Sequence, residues 1–235
     1  MRFLLLLFVA IGSRTFAREL VAPSDARQLV VVATREWGDS SGTLRRFARG
    51  NVREQWREEG GAVPVKIGRA GMAWGLGLHT NPSAGPRKIE GDKKAPAGVF
   101  HLTAVFGSDA KPAGVTLPYI RVVPGIEAVD DPDSRYYNRI VDRARIAHPD
   151  WLSSERMRGT YGDYRLGIVV AHNPNCQPRA GSCIFLHVWR NPWRGTSGCT
   201  AMPLDAIAEL QRWLVPEARP VLMQAPREFL PPAFR

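Results

Sequence analysis

Hydrophobic positions along this chain come in short runs rather than long helical stripes. Gln28-Leu29-Val30-Val31-Val32-Ala33-Thr34 is almost continuously apolar, the pattern of a strand covered on both faces. Residues 52–56 alternate, which predicts a half-exposed strand. Further strands are expected over 63–67, 99–106, 119–123, 166–171, 184–189 and 220–223. Clusters of Gly, Pro, Asp, Asn and Ser at 60–61, 81–83, 91–92 and 178–182 punctuate them as turns. One helix is predicted after position 202. Pro203 suits a first helical position, Met202, Ile207, Leu210 and Leu214 fall near one face, and Pro216 stops the run. A shorter helix is expected from Ser153 or Ser154. No repeat or compositional break interrupts 28–224, so the pattern predicts one mainly β domain with a few short helices.

Composition agrees with a folded chain and changes little else. Of 235 residues 44% are apolar and 23% charged, which argues against disorder. That length is enough for one large domain with a sizeable core. The start is more informative. Met1-Arg2 precedes nine apolar residues, Phe3 to Ile11, far short of the roughly 20 that span a bilayer as a helix. Thr15-Phe16-Ala17 places small residues at alternate positions, so 1–17 reads as a secretory signal peptide cleaved after Ala17, with Ala22 a second candidate. The apolar run contains no Cys, which argues against a lipidated N-terminus. The expected organisation is signal 1–17, linker 18–27, domain 28–224 and tail 225–235. An exported protein of the periplasm or cell envelope follows, without a stable membrane anchor.

Export changes how charge and cysteines are read. A formal charge of +10 points to anionic partners. For an exported chain that partner is the anionic cell envelope, and nucleic acid is not expected. Cys176, Cys183 and Cys199 make an odd number, which leaves one thiol over in an oxidising compartment. Cys176 and Cys183 bracket a turn-like hexapeptide and are candidates for a small disulfide. Cys199 would then be free.

Candidate chemistry gathers around that residue. His187 ends an apolar run, and Cys199 follows twelve residues later, after a Gly-rich turn and before the predicted helix. A neighbouring imidazole and a helix N-terminus both lower a thiol pKa and favour the attacking thiolate. Gly198 would let the Gly198 and Cys199 amides face a tetrahedral oxyanion. The three cysteines and His187 lack the paired C-x₂₋₄-C spacing of structural zinc sites, so no metal and no cofactor is expected. His79, His101, His148 and His172 belong to no motif with a matched partner in sequence and read as structural. Trp189 and Trp193 flank the site, as groove lining or as packing.

His187 followed by Gly195-Thr196-Ser197-Gly198-Cys199-Thr200-Ala201 resembles the signature of L,D-transpeptidases, the YkuD-like enzymes of bacterial cell walls. Gly91-Asp92-Lys93-Lys94-Ala95-Pro96-Ala97-Gly98-Val99-Phe100 resembles their upstream G-D-x-x-T-P-x-G-x-F element. The resemblance implies a β-sandwich-type domain acting on peptidoglycan stem peptides. Cys199 would form a thioester and expel a terminal D-amino acid, and an amine would then take the acyl group. His187 would be the general base, and the Gly198 and Cys199 amides the oxyanion hole. Members most often carry His where this chain has Ser197, and commonly Arg where it has Ala201. A branch with Gly-Thr-x-Gly-Cys-x-Ala is closer. Ser197, Arg190, Arg194 and Asn138, the last within a Tyr136-Tyr137-Asn138-Arg139 stretch similar to that branch, are the implied substrate contacts. A hydrolase using the same Cys–His pair, acting as peptidase or L,D-carboxypeptidase, and a non-catalytic envelope-binding module are the alternatives. A papain-like enzyme would place Cys before His in the chain, the reverse of the order here.

Overall fold

A computed structural model describes residues 19–80, 85–159 and 162–235. The expected leader, 1–17, lies outside the described residues. The strands are β1 (Gln28–Thr34), β2 (Ser41–Ala48), β3 (Arg57–Lys66), β4 (Met72–Trp74), β5 (Ala95–Gly107) and β6 (Tyr119–Arg121). They continue with β7 (Ile126–Val129), β8 (Arg139–Asp142), β9 (Ser154–Arg156), β10 (Leu166–Val170), β11 (Phe185–Val188), β12 (Thr200–Met202) and β13 (Val221–Pro226). A single α-helix among the described residues, α1 (Leu204–Trp213), lies between β12 and β13.

The main sheet runs β10-β11-β12-β3-β2-β1-β13-β5, and an antiparallel β10–β5 ladder closes the path on itself. β4 and β6 add in parallel to β5, and β8-β7-β9 form a separate small sheet. β1 is buried at all seven positions because it lies between antiparallel β2 and parallel β13, with both faces covered. Every residue of β13 is buried too, and its polar Gln224 is satisfied by Pro96 O and the Thr200 hydroxyl. The mainly β class expected from the sequence is what forms.

Several local expectations need correction. Residues 52–56 are not a strand: Glu54 accepts from the Gly50 N–H and the Asn51 amide, and Asn51 accepts from the Arg53 N–H, which curls the chain into turns. β2 takes the place beside β1. Only its Leu44 and Phe47 are buried, three apart across a register shift, so no period-two signal survives. No helix starts at Ser153 or Ser154. That stretch is β9, held to β7 and anchored where Glu127 accepts from the Ser154 hydroxyl and the Trp151 indole. Pro203 is the N-cap of α1 rather than its first residue. Linker and tail also belong to the core. The Leu20 N–H bonds Phe229 O at 2.8 Å, and Leu20, Phe229, Leu230 and Phe234 are buried. Among the described residues, no helix is long and apolar enough to cross a membrane.

Candidate active site

β11 and β12 are parallel neighbours in the register Leu186↔Thr200 and His187↔Ala201. Cys199, one residue before β12, therefore sits opposite Phe185, whose N–H donates to Cys199 Sγ at 3.3 Å. Side chains two apart on a strand share a face, so His187 follows Phe185 on the side that carries the cysteine. Both residues line one cleft of about 360 Å³.

The histidine is held by one hydrogen bond. Its Nδ1 lies 2.9 Å from the Val188 carbonyl, which can only accept. Nδ1 therefore carries the proton, and Nε2 is left with a lone pair. Burial holds the His187 pKa below the ordinary imidazole value, with the Asp163 carboxylate opposing it. Burial also pushes the Cys199 thiol up to about 12, Glu155 adds to the rise, and the Phe185 N–H opposes it. This reverses the expected depression of the thiol. The helix that was to help begins at Leu204, beyond β12, so its N-terminus does not abut the sulfur. Burial therefore disfavours both charged forms, the thiolate and the imidazolium.

The turn before Cys199 is braced from within. Thr196 Oγ1 donates to Cys199 O at 2.6 Å and accepts from the Gly198 N–H at 3.1 Å. A Cβ on Gly198, whose φ is +156°, would meet Lys94 O at 3.2 Å, so the upstream element packs directly on this turn. Asp92 holds that element by accepting from the Ile89 and Lys94 amides and from Lys88 Nζ at 2.6 Å. The Lys88 and Asp92 side chains are only 4% and 10% exposed. Of the two amides expected to form an oxyanion hole, that of Gly198 is already taken by the Thr196 hydroxyl.

Four carboxylates and four cations line the cleft. Glu90 is bonded by the Tyr137 and Ser182 hydroxyls, Asp130 by Ser153 and Glu155 by Tyr164. Asp163 pairs with Arg190, while its Oδ1 is buried without a partner. Arg69 and Arg194 share one lip, since the Arg69 N–H bonds Thr196 O at 2.9 Å and Gly195 packs on the Arg69 Cα. Neither has an ion-pair partner among the described residues.

Of the residues expected from sequence, Cys199, His187, Gly198, Ser197, Arg190 and Arg194 come together here. Trp189 lines the cleft too, whereas Trp193 is 88% exposed. Asn138 does not reach it. Its amide is consumed by the carbonyls of His172 and Asn173 and by the Cys183 N–H, so it braces the loop behind the wall. Cys176 and Cys183 form no disulfide, and all three cysteines are free thiols. Cys183 instead turns inward, its Sγ 3.3 Å from Val129 O. His172 is structural as expected, with both ring nitrogens engaged, by the Leu76 N–H and by Ala180 O. Sequence reasoning missed Arg69, Glu155 and Tyr164. Arg69 follows a Gly after an apolar strand and carries no motif of its own, and the other two meet the site only through tertiary packing.

No match was found among curated proteins. A solved structure, the helical cell shape determining protein Pgp2 from Campylobacter jejuni, aligns with TM-score 0.40 and 16% identity. That alignment covers 92% of this chain and 52% of the other, so the chain spans about half the length of Pgp2. A family model for the L,D-transpeptidase catalytic domain, YkuD, matches residues 39–223, which include the upstream element, the histidine and the cysteine. The chain belongs to the YkuD family of L,D-transpeptidase-type peptidoglycan enzymes.

Proposed function

We propose that this protein is an exported peptidoglycan L,D-transpeptidase that works through a Cys199 thioester. The observation that carries the reading is a buried thiol that lines one cleft with a histidine whose Nδ1 is committed to Val188 O. With both charged forms disfavoured, the thiol proton passes to His187 Nε2 as sulfur attacks the carbonyl of the stem peptide, rather than beforehand. Negative charge then develops on the carbonyl oxygen, against the Cys199 N–H and the shared Gly198 N–H. The same proton returns to the departing amino group of the D-residue as the carbon–nitrogen bond breaks, leaving the thioester. In the second half-reaction His187 takes a proton from the incoming amine, and the thiol is regenerated. Arg69 and Arg194 supply positive charge at the lip for the terminal carboxylate of the leaving residue, where the family commonly uses the position of Ala201.

The test is incubation of the purified protein with tetrapeptide muropeptides, followed by mass spectrometry. Transpeptidation gives dimers and a released D-amino acid. Shortened monomers alone would make the enzyme an L,D-carboxypeptidase, and unchanged substrate would make it a binding module. Either result would displace the proposal.

A further inference from the structure

A histidine fixed by one hydrogen bond is not yet aimed. The Nδ1 contact to Val188 O sets the tautomer, but the torsion that rotates an imidazole is broad and leaves the direction of Nε2 loosely defined. A second group is needed to set the ring plane. Tyr164 lies against it. Its ring meets the His187 ring edge-to-face, with centroids 5.3 Å apart and planes at 73°.

Tyr164 is itself held from three sides. Its ring packs edge-on against Phe185 at 5.7 Å and Phe106 at 6.0 Å, and its hydroxyl donates to the Glu155 carboxylate of β9. Burial raises the Tyr164 pKa well above the ordinary phenol value, so the hydroxyl stays a donor. The preceding residue, Asp163, pairs with Arg190, two residues beyond the end of β11. The short helical turn Asp163–Arg165 therefore touches the histidine strand at His187 and again just past its end. Gly162, at φ 66°, lets the chain enter that turn in a left-handed conformation.

We propose that this turn is a clip for the general base, with Tyr164 as the positioning residue that fixes the His187 imidazole plane toward Cys199. Glu155 anchors the clip from the small sheet, and the Asp163–Arg190 pair anchors it from the far side. The proposal rests on His187 acting as base for Cys199, but not on the identity of the substrate. Purely structural packing would fill the same space without setting chemistry. A substrate contact would change binding rather than the reactivity of the thiol.

The experiment reads the thiol directly. Carbamidomethylation of Cys199 by iodoacetamide is followed by mass spectrometry across pH in the full chain. The charged groups around the pair are Glu155 from β9, Asp163 and Arg190 from the clip, and Lys88 from the loop before β5. None of them is altered in the variants. Tyr164→Met keeps apolar bulk but removes the ring, and alkylation near neutral pH should slow by about ten- to a hundredfold with a displaced acid limb, the scale of a misplaced catalytic group. Tyr164→Phe restores the ring and should return the rate to within about threefold. With tetrapeptide substrate, the loss should fall on kcat and leave KM nearly unchanged. A Tyr164→Met protein that alkylates like wild type, or shows a raised KM alone, overturns the clip. In the unaltered protein the His187 ring carbons should relax as a rigid group by NMR, and a mobile ring overturns the proposal whatever the variants do. If wild type alkylates as described but turns over no stem peptide, the clip stands and the enzymatic reading falls.

Discussion

The loop from His172 to Cys183 and the segment from His187 to Cys199 converge on the same side of the molecule, each with one histidine and one buried cysteine. Their polar atoms are spent differently. His172 has both ring nitrogens engaged, and the Cys183 thiol points at the Val129 carbonyl. His187 commits only Nδ1, and the Cys199 sulfur, which like that of Cys183 points at a backbone carbonyl (Cys183 O, 3.6 Å), also receives the Phe185 N–H, the interaction that favours a thiolate. Burial is nearly the same in both regions, and it raises both thiol pKa values and lowers both histidine pKa values. What separates the two regions is the Nε2 lone pair of His187, unspent among the described residues.

The sharpest way to break that comparison is to exchange cysteines. Cys199→Ser should abolish thioester formation and turnover, because a serine hydroxyl offers no accessible anion near neutral pH. Cys183→Ser should leave kcat within about threefold, since its sulfur only caps a carbonyl and serine can do the same. Acyl-enzyme mass spectrometry of both folded variants reads the difference, and a silent Cys183→Ser protein would erase the distinction.

The histidines give the next contrast. His187→Ala should slow acylation by roughly 10²–10⁴-fold, the usual loss for a general base. In wild type the acid limb of activity should have its midpoint below the ordinary imidazole value of about 6.5, because burial disfavours the charged ring. His172 should report on stability instead. Its pKa is lowered to about 4 by burial, so between about 6.5 and 4 the unfolded chain binds a proton that the folded chain refuses. Stability contributed by the neutral ring is full above that window and lost as pH falls through it, about 3 kcal/mol in all. Denaturant midpoints measured from pH 7 to 4 should show that slope, and His172→Gln should flatten it.

The smallest effect concerns the brace beneath the reactive centre. Thr196→Ala removes a hydroxyl bonded to both the Cys199 carbonyl and the Gly198 amide. It should cost about 1 kcal/mol of stability, with Thr196→Ser recovering most of it. Calorimetry checks the first value, and steady-state kinetics shows whether freeing the Gly198 amide helps or harms the oxyanion.

How much of this was visible beforehand follows from the range of each interaction. β1, β5, β10, β11 and β13 announce themselves as apolar runs because both of their faces are covered. β2 and β9 do not, one because a register shift breaks its alternation and the other because three residues carry no period. Cys199 and His187 were legible through a local motif. Tyr164 and Glu155 were not, since nothing near them in the chain marks the ring contact and hydroxyl bond that bring them to the site. Asn138 was misjudged for the converse reason. A polar residue beside two tyrosines looks like a cleft contact until its three hydrogen bonds are counted. The thiol pKa was expected to move the wrong way, because the depth at which the sulfur lies is a property of the packed chain.

The parallel ladder between β1 and β13 joins Leu29 to Val221 and Thr34 to Pro226, the two ends of the folded domain. A chain emerging N-terminus first offers β1 its hairpin partner early, yet the other flank of that apolar strand stays bare until β13 has appeared. Such an unpaired flank is a template for association with other chains, and closing so long a loop makes the final zipping slow. The step that pairs β13 with β1 is thus also the one that covers this flank of the apolar strand.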